Sequence, residues 1–176
     1  MINKTPAILA VIVIAAIAIL VIARPPANNT TTGAAASNML SVQAPSSASA
    51  GALVTVSVIA TDVRAGLYGV DLGLSYDPAL FDFVSVSEGT FLSRSGADST
   101  LSFADSVDTK TSGLVNQFIV LKVAGEGTTG SGTLATYTFR AKGSGSGAFA
   151  IANLQAANKD AQPVSLGTSP TSVTVR

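Results

Sequence analysis

The sequence predicts an all-β domain, an antiparallel sandwich, preceded by one transmembrane helix. Three observations carry this. Apolar residues alternate with polar ones at period two in run after run between Val54 and Val175. The runs are separated by Gly, Pro, Asp and Ser clusters rather than by helical patterns. The chain opens on a continuous apolar stretch with no alternation at all.

That stretch, Ala7 to Ala23, reads AILAVIVIAAIAILVIA. At about 1.5 Å per residue it spans roughly 26 Å as a helix, close to the thickness of a hydrocarbon core. Pro6 sits in the first turn, where its missing N–H does no harm. The run is longer than the about 7–15 residues of a signal-peptide core. Arg24-Pro25-Pro26 follows at once and disfavours cleavage after Ala23. The reading is a signal anchor over 5–23, with a cleaved signal peptide as the competing one. Lys4 and the amino terminus oppose a single Arg24, which puts residues 1–4 inside and the rest outside. The expected location is therefore the cell membrane, single-pass, with the domain extracellular.

Residues 24–38, RPPANNTTTGAAASN, show no hydrophobic periodicity and read as a polar linker. Asn28 and Asn29 open overlapping glycosylation sequons, Asn28-Asn29-Thr30 and Asn29-Thr30-Thr31. Residues 39–176 are of the length of one domain.

Within it the elements follow in order. Val54, Val56, Val58 and Ala60 alternate with Thr55, Ser57 and Ile59. Val70, Leu72, Leu74 and Tyr76 alternate with Gly69, Asp71, Gly73 and Ser75. Ile119, Leu121 and Val123 alternate with Val120 and Lys122. Ala135, Tyr137, Phe139 and Ala141 alternate with Thr136, Thr138 and Arg140, and Val173 and Val175 with Ser172 and Thr174. Each run has one buried face and one wetter face. Breaks fall at Tyr76-Asp77-Pro78, Ser87-Glu88-Gly89, Gly125 to Gly132 and Gly143 to Gly147. Asp77 to Phe81 has the makings of one short turn. The glycine-rich run at 125–132 reads as a flexible hairpin loop, since it has no Lys at a P-loop position and opens no helix.

Composition narrows the chemistry. The 176 residues contain no His, Cys or Trp, and ten basic residues balance ten acidic ones. A zinc site of the usual kind, a Cys–His dyad and a Ser–His–Asp triad are excluded. Zero net charge argues against a nucleic-acid partner. No cofactor or metal is expected: Asp98, Asp105 and Asp108 lie close together but lack EF-hand spacing. Glu88 and Asp82 make a poor glycosidase pair without an aromatic subsite. Tyr68 is the best candidate for a glycan platform, while Phe81, Phe83, Phe103, Phe118, Phe139 and Phe149 are expected in the core.

The segment Ala65 to Ser87, AGLYGVDLGLSYDPALFDFVSVS, resembles the third and fourth strands of a cohesin domain, the receptor module of cellulosomes and related surface assemblies. The shared features are a Gly-led strand, a Tyr-Asp-Pro turn and a following strand of apolar, acidic, apolar sense. Gly132 to Lys142 resembles the family's seventh strand, and Asn158-Lys159-Asp160 with Ser172 to Val175 its last stretch. The Tyr-Asp-Pro element is shared with carbohydrate-binding modules of the same superfold. The resemblance implies a jelly-roll sandwich of about nine strands, no catalysis, and a dockerin-bearing partner. In the commonest cohesins an Asn and an Asp two residues apart on the third strand touch the dockerin. Asp71 falls at the Asp position, and Gly69 stands where the Asn would be. The implied partner-binding face carries Gly69, Asp71, Gly73 and Ser75. The expected role is a membrane-anchored adaptor at the cell surface. The alternatives are a polysaccharide-binding sandwich and a structural filament subunit.

Overall fold

The computed structural model describes residues 37–94, 100–105 and 112–176. The apolar run at 7–23, the sequons at Asn28 and Asn29, and Asp98 and Asp108 lie outside the described residues. Among the described residues no helix is long and apolar enough to cross a membrane.

The described residues form eleven strands: β1 (Met39–Gln43), β2 (Ser47–Ala48), β3 (Leu53–Leu67), β4 (Gly69–Ser75), β5 (Phe81–Glu88), β6 (Thr100–Asp105), β7 (Leu114–Lys122), β8 (Thr128–Ala141), β9 (Gly145–Ala157), β10 (Gly167–Ser169) and β11 (Thr171–Val175). They build two sheets, ordered β10-β1-β3-β8-β5 and β2-β11-β9-β4-β7-β6. The count exceeds the expected nine because β2 and β10 are too short to show any alternation in sequence. The pairing is not wholly antiparallel either. β1 runs parallel to β10, and β11 parallel to β2, at the sheet margins.

The alternating residues close one core between the sheets. Val54, Val56, Val58 and Ala60 of β3 are buried together with Val70, Leu72 and Leu74 of β4, Tyr137 and Phe139 of β8, and Val173 and Val175 of β11. Aromatic rings join the layers: Phe139 lies 4.9 Å from both Tyr76 and Phe149, and Phe149 lies 4.8 Å from Phe81. Pairs at these separations add to their buried area.

The turn at Asp77 forms as expected. Its carbonyl accepts from the amides of Leu80 and Phe81, and its carboxylate accepts from the amide of Ala79 at 2.8 Å. The glycine run at 125–132 does not remain a loop, because β8 already begins at Thr128. Gly127 is required there for a steric reason: a Cβ on it would collide with the carbonyl oxygen of Gly66.

β7 departs from the expected pattern. Its core residues are Val115, Phe118 and Val120, while Ile119 and Leu121 face the other way. Lys122 is buried too, and its Nζ donates to the carbonyl of Leu92 at 3.2 Å and to Thr128 Oγ1 at 3.2 Å. A run that is apolar on both faces carries no parity in its sequence, and this lysine takes an inner position by finding oxygen acceptors. Phe103 also departs from expectation. It is 51 % exposed, because it shares the outer parity of Ile119 and stands on β6, the edge strand of its sheet.

Candidate functional site

β4 crosses the centre of the six-stranded sheet, between β9 and β7. Its Val70, Leu72 and Leu74 enter the core, so Gly69, Asp71, Gly73 and Ser75 line its outer side. Cross-strand register completes the face. Leu101, Leu121, Gly69 and Ala157 fall in one row across β6, β7, β4 and β9. Phe103, Ile119, Asp71 and Gln155 fall in the next.

The flanking strands are irregular beside Gly73. Between Leu72 and Leu74 the partner β7 contains an extra residue, and between Asp71 and Gly73 the partner β9 contains another. Asn153, in the second of these bulges, adopts the left-handed conformation with φ 52°. Asn is among the residues that tolerate it best. Such paired bulges re-aim side chains around a central strand.

Gln117 illustrates the result. It is not directly opposite Asp71, yet its Nε2 donates to Asp71 Oδ2 at 2.9 Å. Asp71 is half-buried rather than openly solvated. Burial pushes its carboxyl above the ordinary carboxylate range, and the hydrogen bond from Gln117 opposes that only in part.

The other three expected residues play lesser parts. Gly69 and Gly73 are buried between their neighbours and form the floor of the face rather than an open flat. The Ser75 hydroxyl donates to the carbonyl of Ala150 at 3.1 Å and is already satisfied. Asp71 is therefore the one carboxylate among the described residues of these two rows. The sequence points to neither Gln117 nor Leu101 and puts Phe103 in the core, since only strand register brings the three beside Asp71. The alternation of Phe103 with Ser102 and Ala104 was the single signal available.

Tyr68 occupies the one-residue crossing from β3 to β4, hence from one sheet to the other. It is half-exposed, its amide donates to Ala157 and its carbonyl accepts from Lys122. Among the described residues no second aromatic ring pairs with it to make a shared platform. Asp82 and Glu88 sit at opposite ends of β5, about 20 Å apart at roughly 3.3 Å per residue, too far for paired glycosidase carboxylates. Asp82 is moreover paired with Lys142 at 2.7 Å. Among the described residues no three potential ligands gather into a metal site.

The fold and this face define a β-sandwich whose outer sheet surface presents contact area and, among the described residues of the two rows, one carboxylate. The cohesin-domain family model matches residues 39–175, and the chain belongs to that family. Cohesin domains are docking modules without catalysis. The sixth cohesin of Acetivibrio cellulolyticus scaffoldin B, solved in complex with a mutated dockerin, is similar at TM-score 0.62 and 15 % identity, covering 80 % of this chain and 99 % of that one. A non-cellulosomal cohesin from the archaeon Archaeoglobus fulgidus is similar at 0.57 and 18 %, covering 78 % and 91 %. The cohesin module of a Clostridium perfringens family 33 glycoside hydrolase is similar at 0.64 and 11 %, covering 81 % and 98 %. No curated protein matches the chain.

Proposed function

We propose that this chain is a membrane-anchored cohesin that captures a dockerin-bearing protein at the cell surface. Docking uses the outer face of β6-β7-β4-β9. The observation that carries the reading is Asp71. A carboxylate held half-buried at the centre of an otherwise uncharged pair of rows costs the free domain stability and has no ion-pair partner among the described residues. It is explained by a partner that supplies donors. Gln117 occupies Oδ2, and a helix laid on the face would donate hydroxyl or amide hydrogens to Oδ1. Anchoring rests on the apolar run Ala7 to Ala23 and on the linker that follows it.

The test is titration of the chain with dockerin modules by calorimetry. Asp71→Ala is expected to weaken the complex by about 1–3 kcal/mol, the usual cost of losing a charge-assisted interface hydrogen bond. Its unfolding midpoint should not fall, since the substitution also removes a carboxylate that burial disfavours. Unchanged affinity in Asp71→Ala, with binding abolished by a substitution on the opposite sheet, would show that another face docks.

A further inference from the structure

One end of the sandwich gathers polar groups that sheet-face docking does not use. β3 and β7 finish there, β4 and β8 begin there, and β9 leaves there into the loop that leads to β10. Two of these connections touch through glycine alone. Gly66, at φ 63°, and Gly127 pack backbone to backbone, and a Cβ on Gly127 would collide with the Gly66 carbonyl. Beside this contact lies an open cleft of about 340 Å³, lined also by Glu126, Asn158, Lys159 and Asp160. Its volume falls within the range of about 300–1,000 Å³ typical of small-molecule sites.

The loop after β9 is held in shape by its own hydrogen bonds. The amide of Asn158 donates to the carbonyl of Gln162 at 3.0 Å, and the amide of Ala161 to the carbonyl of Asn158 at 3.1 Å. Asn158 Oδ1 accepts from the amides of Asp160 and Gln162. Ala161 is kept at φ 58°, a left-handed conformation more usual for Gly or Asn. A loop ordered in this way has little conformational freedom left to lose on binding. Lys159 Nζ donates to Glu126 Oε1 at 2.6 Å and so ties the loop to the start of β8. The hydrogen bond and charge of Glu126 hold that ammonium above the ordinary lysine range. Tyr68 lies within electrostatic reach of the same ammonium, and its amide is bonded to Ala157, the residue before Asn158.

The chemistry of the cleft selects its ligand. Glu126 and Asp160 outnumber Lys159, and the surplus negative charge repels a phosphate or sulfate group. A metal cation is disfavoured, because the Lys159 ammonium already holds the Glu126 carboxylate and no three potential ligands gather among the described residues. An apolar ligand would meet no side chain larger than that of Ala65 apart from the polar ones. A neutral ligand that donates and accepts at several adjacent points fits all of these groups, and sugar hydroxyls do both. Asp160 and the second Glu126 oxygen accept. Lys159 donates, and so does Asn158 Nδ2, since Oδ1 of that amide is taken by the loop. We propose that this cleft binds a short neutral saccharide or the end of a neutral polysaccharide chain, with Tyr68 as the ring against which a sugar packs. One ring and a small volume suit one or two sugar units rather than the flat surface of a crystalline polymer.

The experiment titrates the full chain, in a detergent without sugar headgroups, with neutral mono-, di- and tetrasaccharides of glucose, galactose, mannose and N-acetylglucosamine. Binding is read by saturation-transfer NMR and calorimetry. At least one saccharide is expected to bind with a Kd of about 1 mM or tighter. Tyr68→Ala and Asp160→Asn should each weaken it at least about tenfold. Asp160 is exposed, so the unfolding midpoint of Asp160→Asn should match the wild type. Asp82→Asn, opposite Arg140 near the far end of β8, should bind normally, and so should Asp71→Ala. Soluble polysaccharides of the same sugars, whole and partly digested, separate the two sources. Retention that rises with the number of chain ends assigns the polymer end, and binding of short saccharides alone assigns a free sugar. Equal retention of whole and digested polymer overturns an end-on cleft. No neutral saccharide bound at that level, or full affinity in Asp160→Asn, overturns the proposal. A loss in Asp71→Ala moves the sugar to the sheet face and overturns it too. Preference for uronic-acid or sulfated saccharides, or heat from calcium that Asp160→Asn removes, assigns the cleft to a charged ligand and overturns it as well.

Discussion

Tyr137 is a polar side chain placed where an apolar one would suffice. It stands on the inner face of β8, fully buried, with its ring 6.1 Å from that of Phe118. Its hydroxyl has no hydrogen-bond partner among the described residues. An unsatisfied buried hydroxyl costs about 1–3 kcal/mol. Burial, and secondarily the charge of Asp71, push its ionisation well above the ordinary 10.0. The sign of the consequence follows from linkage. The folded state holds the phenolic proton more tightly than the unfolded chain, so this group makes stability independent of pH below about 10 and lowers it as pH rises beyond that. Tyr137→Phe should therefore raise stability at neutral pH by about 1 kcal/mol. It should also remove part of the alkaline decline. Urea unfolding at pH 7 and above pH 10 measures both, and a Tyr137→Phe protein less stable than wild type at both would reveal an unseen partner for the hydroxyl.

At the scale of the element, β4 carries both core and face, one on each parity. Leu74 lies fully buried on its inner side, with Ile151 of β9 and Val115 of β7 as cross-strand neighbours. Leu74→Ala should cost about 2–5 kcal/mol by the lost burial and the cavity left behind. The measurement is the shift in urea midpoint at constant slope, and a change under 1 kcal/mol would mean that β4 is not central. Strands such as β3, β4 and β8 were legible in sequence because one face of each is apolar and the other is not. β7 was not, since Phe118 to Leu121 is apolar on both faces and only a bulge and the acceptors around Lys122 decide its parity. β2 and β10 were too short to register. The site was legible to the same extent as its strand. Asp71 could be placed from β4 alone, through its alternation and the Tyr-Asp-Pro turn. Gln117, Leu101 and Phe103 join it across strands distant in sequence, and no local pattern encodes that register.

For the whole molecule, the arrangement of the sheets bears on how an anchored domain would work. β1, the first strand among the described residues, belongs to the five-stranded sheet, and the proposed docking face is the outer surface of the other sheet. Asn38 is fixed there, its amide donating to Asp62 and its carbonyl accepting from Gly167. A tether entering at Asn38 therefore approaches from the layer opposite the docking rows. Residues 24–38, if they serve as the linker their composition predicts, would reach at most about 45 Å when fully extended, enough to hold a domain clear of headgroups. A retained anchor should then leave docking unimpaired. The full chain is expected to remain in membranes through carbonate and high-salt washing. Reconstituted in vesicles with the domain outside, it should bind a dockerin with the affinity it has in detergent. Sedimentation and mass spectrometry check the first expectation, and a mature amino terminus between Ala23 and Ser37 would replace the anchor with a cleaved leader. Titration of the vesicles checks the second. Affinity lost on vesicles but kept in detergent would mean that the membrane covers the face, and hence that the tether brings β6-β7-β4-β9 toward the bilayer rather than away from it.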